Sequence, residues 1–302
     1  MTPQIQERNE QGKGVASPAY AAPTMAAHQL MNEDQTEVLR FLSERPLHTV
    51  VMNGFIRDNG VESQLNRGVF YACRNHLGEL EGVALIGHAM YLEARTNAAL
   101  ITFANLAQEV RNLHMIMGEE RTVQSFWNYY SEGGQPRRLF ARAVLLVQTS
   151  PVADAAPVPG LRLARLDDLS LIVPVHASLA FEDSGVNPLD LDADGFRKRC
   201  ARRIEQDRVW VWIERGELIF KVDIVSDTPE AIYVEGIYVA PNERRKGYGS
   251  RSMSQIGRNL LKRTNAIALL VNEDRLAVQS FFQQIGFTKS GLYETIFLQA
   301  QK

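Results

Sequence analysis

The sequence predicts a mixed α/β fold built from two related halves, and three observations lead to that prediction. Strand-like and helix-like segments alternate in the second half, which is the pattern of a βαβ unit. Short stretches of the first half recur in the second half in the same order. Between the halves lies a segment rich in proline and small residues, 149–160, which is typical of a linker.

Length and composition narrow the class of protein. The chain has 302 residues, which suits two domains, and its 33 Lys and Arg against 35 Asp and Glu leave a net charge of −2. That balance argues against a dedicated nucleic-acid binder. No apolar run approaches the ~20 residues that a membrane span needs. Because the sequence also shows no secretory signal and no disulfide framework, we expect a cytoplasmic protein without a membrane or nucleic-acid partner.

In the first half, residues 1–30 lack hydrophobic periodicity and are predicted to form a disordered tail. The following domain, 31–148, begins with a helix near Asn32 and a second helix from Pro46. The strand-like runs of this domain lie at 68–74, 80–88 and 98–104.

The second domain, 161–302, has a clearer pattern of elements. Its predicted strands are 161–163, 209–213, 218–225, 232–239, 266–271 and the final runs at Phe287 and 295–298. Its predicted helices are 167–179, 196–205, 249–262 and one that carries Val278, Phe281, Phe282 and Ile285 on one face. Gly286 suits the left-handed residue that ends the last helix.

An internal repeat connects the halves. In the first copy, Gly118 to Arg121 is followed after one residue by Val-Gln-Ser-Phe. In the second copy, Asn272 to Arg275 is followed after two residues by the same four. Both copies follow an apolar run, 113–117 in the first half and 266–271 in the second. The shared order predicts a duplicated fold.

The segment with the clearest chemistry extends from Glu235 to Ser250. A strand leads into Arg-x-x-Gly-x-Gly, and the loop opens directly into an amphipathic helix. Glycines at 247 and 249 allow backbone N–H groups to approach an anion closely, and the helix N-terminus adds partial positive charge. Three consecutive basic residues, 244–246, raise the local potential further. The segment therefore predicts a phosphate-binding loop.

This segment resembles the motif of the GNAT superfamily of N-acetyltransferases, which Arg244, Gly247 and Gly249 match. The resemblance covers about 161–302 and implies acetyl-CoA as the acyl-donor cosubstrate, with no metal. The strand before the loop would contact the pantetheine arm and the thioester through its backbone. The residues that the resemblance assigns to acetyl-CoA are Ile237, Tyr238, Val239, Arg244, Arg245, Lys246, Gly247, Tyr248, Gly249, Ser250, Asn272 and Phe282.

The whole chain is similar to tandem GNAT proteins whose N-terminal half is a degenerate GNAT-like domain. Residues 181–188, in the predicted loop between the first two helices of the second half, resemble an acidic stretch of that subgroup. After the predicted strand near 100–104, the first half continues from Asn105 to Val110 without glycine. We therefore expect no acetyl-CoA site there and expect the first half to shape the acceptor cleft.

Acetyl transfer to an amine needs a base for the amine and an acid for the departing thiolate. Glu235 is the first candidate base, since it shares a strand face with Ile237. The alternative is a glutamate that faces solvent or pairs with an arginine. Glu182 is a second candidate, on a loop expected to border the acceptor, and Tyr238 is a third candidate catalytic residue.

The thiolate acid stays open at the sequence level. Phe282 stands where many GNAT enzymes carry a tyrosine, and phenylalanine cannot donate a proton. Water could assist instead, or the donor could be one of Tyr238, Tyr248, Ser280 and Tyr293. The resemblance implies an N-acetyltransferase that acts on a primary amine of a small molecule or protein. One alternative is a non-catalytic acyl-CoA-binding or protein-interaction module, and another is a tandem GNAT enzyme that acts on a small thiol precursor or an aminosugar. A homodimer is also open.

The remaining polar residues carry weaker patterns. The six histidines show no ligand spacing, which predicts no metal site. We interpret His176 as a core or surface histidine, with an approach to the acceptor as the alternative. The basic residues from Arg197 to Arg203 are typical of a solvated helix face, with attraction of an acidic acceptor as the alternative.

Overall fold

The computed structural model describes residues 25–152 and 156–299. In these ranges the chain forms one sheet of twelve strands, with eight α-helices packed against it. The first half contains β1 (Ala27–Gln29), α1 (Gln35–Ser43), α2 (Pro46–Asn59), β2 (Gly68–Arg74), β3 (Leu80–Gly87), β4 (Ala89–Ala94), α3 (Asn97–Gln108), β5 (Met115–Glu119), α4 (Glu120–Tyr130) and β6 (Arg137–Gln148).

The second half repeats this order of elements. It contains β7 (Leu161–Leu163), α5 (Leu169–Ser184), α6 (Pro188–Glu205), β8 (Val209–Glu214), β9 (Glu217–Asp227), β10 (Ile232–Val239), α7 (Tyr248–Leu260), β11 (Ile267–Asn272), α8 (Leu276–Gln284) and β12 (Thr288–Leu298). In both halves three antiparallel strands lead to a helix, a strand, a second helix and a last strand. The predicted mixed α/β fold and its duplication are confirmed.

The last strand of each half lies between strands of the other half. The order across the sheet is β1-β2-β3-β4-β5-β12-β6-β11-β10-β9-β8-β7. β12 pairs with β5 and β6, while β6 pairs with β12 and β11, all antiparallel. The two halves therefore share one continuous ladder of backbone hydrogen bonds. The domain limits 31–148 and 161–302 stay a prediction, and each range includes a strand that completes the sheet of the other.

Different helices pack on the two faces of the sheet. On one face, α7 and α8 pack over β6, β9, β10 and β11 around Phe220, Ile256, Leu269 and Phe282. On the other face, α2 of the first half reaches across the sheet and packs on β9 and β10 of the second half. Asp58 at the end of α2 accepts two hydrogen bonds from Arg208, of 2.5 and 2.6 Å. Helix α2 thus joins the halves on the face opposite α7.

The predicted strand at 98–104 is wrong, because these residues belong to α3. The Thr96 hydroxyl caps the helix by accepting a hydrogen bond from the N–H of Ala99. The buried residues of α3 recur at three- and four-residue spacing: Ala99, Leu100, Phe103, Ala104 and Ala107. This spacing forms one helical face, and a short aliphatic run conceals it when it is examined alone.

The predicted loop at 181–188 is also partly wrong. Residues up to Ser184 form the last turn of α5, which ends at Gly185 with φ +68°. The Asn187 side chain then accepts a hydrogen bond from Leu189 N and caps α6, which begins at Pro188 rather than at residue 196. Helix α6 contains a kink at Asp192, where φ is −158° and ψ is 74°. Loop length was overestimated because the kink interrupts the apolar pattern.

Most of the predicted tail, 1–24, lies outside the described residues, as does the part of the linker at 153–155. Residues Ala27–Gln29 of the predicted tail form β1, which pairs with β2. In the parts of the chain that the structure describes, no helix is both long and apolar enough to cross a membrane.

Candidate active site

The predicted phosphate loop leads into a helix whose N-terminus is open. The cap residue of α7 is Gly247, with φ +77°, and it has no side chain to accept a hydrogen bond. The first helical bond at this end runs from Arg251 N to Gly247 O. The N–H groups of Tyr248, Gly249 and Ser250 therefore lack intrahelical acceptors and point out of the helix end. Such a group of donors binds anions, phosphates above all.

The basic residues of the loop are partly engaged in local contacts. Arg244 Nε donates to Val239 O at 3.1 Å, so its side chain folds back on the end of β10. Lys246 Nζ pairs with Glu243 at 3.0 Å. Arg245 adopts φ +64°, which strains a residue with a side chain and fixes the turn that presents the open helix end.

Close packing explains the second glycine of the motif. A Cβ atom at Gly249 would lie 3.3 Å from Val239 Cγ2 and 3.4 Å from the ring of Phe281. The Phe282 ring, in contrast, is only 3% exposed and packs against Phe281 and Phe287 in the core of the second half. Phe281 thus borders the loop, whereas the predicted cofactor contact of Phe282 is not supported by its buried position.

Strands β10 and β11 part next to the loop. They pair in parallel only at their first two residues, Ile232 and Tyr233. Beyond this point β10 bulges, with a register shift against β9 between Glu235 and Tyr238 and with φ +61° at Gly236. The edge of β10 that faces the gap therefore has no strand partner in the described part of the chain. This backbone includes Ile237, Tyr238 and Val239, and Asn272 ends β11 on the other side of the gap.

A buried group of charged side chains lies directly under the bulge. Lys221 and Asp223, on β9, are 0% and 1% exposed. Lys221 Nζ donates to Asp223 Oδ2 at 2.5 Å and to Gly236 O at 3.3 Å. His176 Nδ1, from α5, lies 2.8 Å from the same carboxylate oxygen, and Arg203 of α6 lies 3.5 Å from it.

These contacts keep Asp223 ionised. Burial acts to raise the pKa of Asp223, but Lys221, His176 and Arg203 together hold it well below its usual value. An ionised carboxylate beside Nδ1 favours the histidine tautomer that carries its proton there. Nε2 of His176 is then a proton acceptor, and it has no hydrogen-bond partner in the described ranges.

Sequence reasoning undervalued this group. His176 was interpreted as structural because nothing in a single sequence places α5 against β9. One signal was present, since Lys221 and Asp223 are two residues apart and share a face of an otherwise apolar strand. Charges are rarely buried unless they are paired, so this pattern indicates a buried ionic site.

The two predicted carboxylate bases differ in surroundings. The Glu235 side chain is 41% exposed, and Oε1 lies 3.4 Å from Arg203. It therefore adjoins the buried charged group and is paired with an arginine, one of the alternatives considered. The Glu182 side chain is 52% exposed, lies in the last turn of α5 and faces Arg275 at 3.8 Å. This position favours a surface acid over a catalytic one.

The candidate thiolate acids lie in separate places. Tyr238 packs on the small core between α5 and β8, and Tyr248 packs edge-on against Trp212 at the start of α7. The Tyr293 hydroxyl lies 3.0 Å from His48 Nδ1 on the α2 face, and burial raises its pKa. Tyr248 is therefore the tyrosine that adjoins the phosphate loop.

A cavity of about 540 Å³ opens beside the buried charged group. It receives side chains from both halves: Arg67, His88, His114, Ile172, His176, Pro188, Leu191, Asp192, Phe196, Arg199, Cys200, Arg203, Val209 and Asp223. His176, Arg203 and Asp223 thus face the cavity as well as the bulge of β10. The first half contributes the wall opposite α5 and α6.

The corresponding gap of the first half is filled. β4 and β5 also pair in parallel at only two residues, Ala89 and Met90. Arg45 lies across their divergence, bonded to Glu93 at 2.9 and 3.2 Å and also to Glu119. The helix that follows, α3, has the Thr96 cap in place of an open glycine end. In this half the segment that corresponds to the phosphate loop is the short connection 95–96, between β4 and α3. The expectation from sequence concerned the segment after residue 104, and this residue lies inside α3.

The duplicated sheet, the parted strands and the glycine-led helix define an acetyltransferase fold of the GNAT type. The model of the acetyltransferase (GNAT) family matches residues 177–287, which include β10, the loop and α7. The region 177–287 thus matches the GNAT superfamily.

Solved structures with the same fold extend over most of the chain. A Drosophila protein aligns with a TM-score of 0.68 at 12% identity, covering 92% of this chain and 100% of its own. A tandem GNAT protein from the clavulanic acid biosynthesis pathway aligns with a TM-score of 0.58 at 13% identity, covering 92% and 99%. A GNAT-family acetyltransferase from Colwellia psychrerythraea aligns at 0.57 and 11%, covering 90% and 99%. A search of curated proteins finds no significant match.

Proposed function

We propose that the C-terminal half binds acetyl-CoA and transfers its acetyl group to a primary amine of a small-molecule or protein acceptor. The observation that supports this function best is the open N-terminus of α7 beside the parted strands β10 and β11. The three N–H groups from Tyr248 to Ser250 would hold the pyrophosphate. The unpaired edge of β10 would bind the pantetheine arm, and acetyl-CoA would act as a cosubstrate that leaves as CoA.

The residues under the bulge supply the proton transfer. The amine must lose a proton before or during attack on the thioester carbonyl, and a neighbouring base accelerates this step. Glu235 is one candidate base, because it lies on β10 at the bulge. His176 is the other, because its side chain lines the cavity. Arg203 contacts Glu235 and also Asp223, the carboxylate that His176 contacts. One cation therefore lies between the two candidate bases.

One acetyl-CoA per chain is expected. The gap of the first half is crossed by Arg45 with its two carboxylate partners, and α3 is capped by Thr96. A pantetheine arm would have to displace these contacts, and at the helix end the Thr96 hydroxyl already accepts the N–H of Ala99.

Calorimetric titration of acetyl-CoA into the full chain tests this proposal. We expect one site, and we expect Gly249→Glu to weaken binding at least a hundredfold, because both its side chain and its negative charge oppose the pyrophosphate. Ala98→Glu is the matched control, since it places the same carboxylate at the second residue of α3. Unchanged affinity in Gly249→Glu, or two sites per chain, would contradict the assignment.

The rival function is a non-catalytic acyl-CoA-binding or protein-interaction module. Phe282 favours it, because this buried ring cannot supply the proton that a tyrosine supplies at this position in many GNAT enzymes. Release of the CoA thiol in the presence of a panel of amines distinguishes the two functions. Tight binding of acetyl-CoA without thiol release would support the module.

A further inference from the structure

We propose that the cavity between the halves receives the acceptor and selects an amine that also carries an anionic group, a carboxylate or a phosphate, bound at Arg67. As a statement about the acceptor, this inference rests on the proposed function. Binding of a small anion in the cavity can be measured whether or not the proposed function holds.

The size of the cavity fits a small molecule. Its volume of about 540 Å³ lies inside the range of roughly 300–1,000 Å³ typical of small-molecule sites. Apolar side chains such as Ile172, Leu191 and Phe196 form part of the wall, and polar groups converge from both halves. This combination is typical of a binding site that fixes both the position and the orientation of its ligand.

Among the charged residues of the cavity, one cation has no ion pair at contact distance. Asp223 is satisfied by Lys221 and His176. Asp192 accepts hydrogen bonds from Gly195 N and from Arg199 at 2.8 and 3.1 Å. Among the described residues, Arg67 forms no ion pair.

The backbone at Arg67 supports a role for its side chain. Its φ is +55°, a left-handed conformation that is unfavourable for an arginine. The surrounding backbone holds this conformation, with Arg67 N bonded to Gln64 O and His88 N bonded to Arg67 O. Strain of this kind persists where the fold determines it and is frequent at ligand sites.

The lowered pKa values of the neighbouring histidines indicate a positive electrostatic potential around Arg67. Burial and the charges of Arg67, His114 and Arg199 lower the pKa of His88 to about 4. Burial and Arg67 also lower the pKa of His114, whose ring lies 4.5 Å from that of His88. Both rings are therefore neutral at pH 7 and leave the arginines as the charged groups that an anion would meet.

The cavity also borders the reaction site. His176, Arg203 and Asp223 line it, and Lys221 connects Asp223 with the carbonyl of Gly236 in the bulge. An acceptor with its anionic group at Arg67 would share this cavity with His176. An amine near His176 would meet both a base and the parted strands.

Acetylation of matched acceptor pairs tests the inference. β-Alanine against propylamine is the carboxylate arm, and O-phosphoethanolamine against ethanolamine is the phosphate arm. We expect at least a tenfold higher kcat/KM for the anionic member of one arm, and that arm identifies the anion. Arg67→Gln should reduce this advantage at least tenfold without changing the KM of acetyl-CoA. Arg121→Gln, on the exposed face of α4, is the control for loss of one positive charge. Equal kcat/KM in both arms, or an advantage that survives Arg67→Gln, would overturn the inference.

A second measurement separates this inference from the proposed function. Succinate and inorganic phosphate are titrated into the protein without acetyl-CoA, while the imidazole NMR signals of His88 and His114 are followed. Saturable binding of either anion, lost in Arg67→Gln, supports the cavity even where acetyl-CoA does not bind and the proposed function fails. Normal binding of acetyl-CoA with no response of these signals to either anion overturns the cavity and leaves the proposed function intact.

Discussion

At the scale of single residues, the Asp223 carboxylate determines what its neighbours can do. One of its oxygens contacts Lys221, His176 and Arg203, so two cations and a hydrogen bond from the imidazole offset the buried negative charge. Removal of one partner from a buried group of this kind costs about 3–5 kcal/mol because an uncompensated charge stays behind. The arrangement therefore fixes the ring of His176 and leaves Nε2 as its free nitrogen.

Variants of His176 and Glu235 distinguish the two candidate bases. Loss of a true general base lowers kcat by about 10²–10⁴ and removes the fall in rate at low pH. We expect this result for His176→Gln and a smaller loss for Glu235→Gln, because Glu235 is half exposed and paired with Arg203. The KM of acetyl-CoA should stay constant in both variants, since neither side chain belongs to the phosphate loop.

The measurement is the pH profile of kcat for both variants, with Glu132→Gln, exposed in the first half, as the control for carboxylate loss. An unaltered profile for one variant would exclude that residue as the base.

The phosphate loop could be predicted from sequence because all its parts lie within a few residues of one another. The base could not, because His176 and Asp223 meet only through the packing of α5 on β9.

At the scale of elements, α2 depends on close approach to β9. A Cβ atom at Gly54 would lie 1.9 Å from Ser226 Oγ and 3.2 Å from the backbone Cα of Ser226. The Ser226 hydroxyl also donates to Val50 O, one turn earlier in α2. Glycine is thus required by the contact between helix and sheet, although it lowers helix propensity by about 1 kcal/mol.

Gly54→Ala should therefore lower the free energy of unfolding by about 2 kcal/mol or more. At a solvent-exposed position in a helix the same substitution stabilises the protein. Denaturant unfolding measures this change. In a Ser226→Gly background the same substitution meets more space, and its cost should fall. An equal cost in both backgrounds would show that this contact is not the cause.

Elements were predictable where a local signal dominates. Strand β2 and helix α2 lie close to their predicted limits because alternation or a proline start marks them. Strand β6 contains an apolar run at 143–147 but was not predicted, and its partners β11 and β12 come more than a hundred residues later in the chain. Pairing over that separation depends on the whole sheet and cannot be deduced from a window of sequence.

At the scale of the whole molecule, the exchanged strands make the halves mutually dependent. Without β6, strand β11 would lose its pairing from Ile267 to Asn272, and β12 would lose its longest partner. Without β12, strand β5 would become an exposed edge on the other side. Exposed edges of this kind pair with other chains and promote aggregation. The duplicated fold therefore acts as one folding unit, even though the sequence shows two halves and a linker.

Cleavage of the linker tests this dependence. With a protease site inserted at 153–155, we expect the two cut pieces to stay together in size-exclusion chromatography, because β6 lies hydrogen-bonded between β11 and β12. The cut protein should still unfold in a single thermal transition and bind acetyl-CoA with the affinity of the uncut chain, which is the control. Two separate fragments, or two transitions of which one is sensitive to acetyl-CoA, would show that each half is stable alone and that the strand exchange is not what joins them.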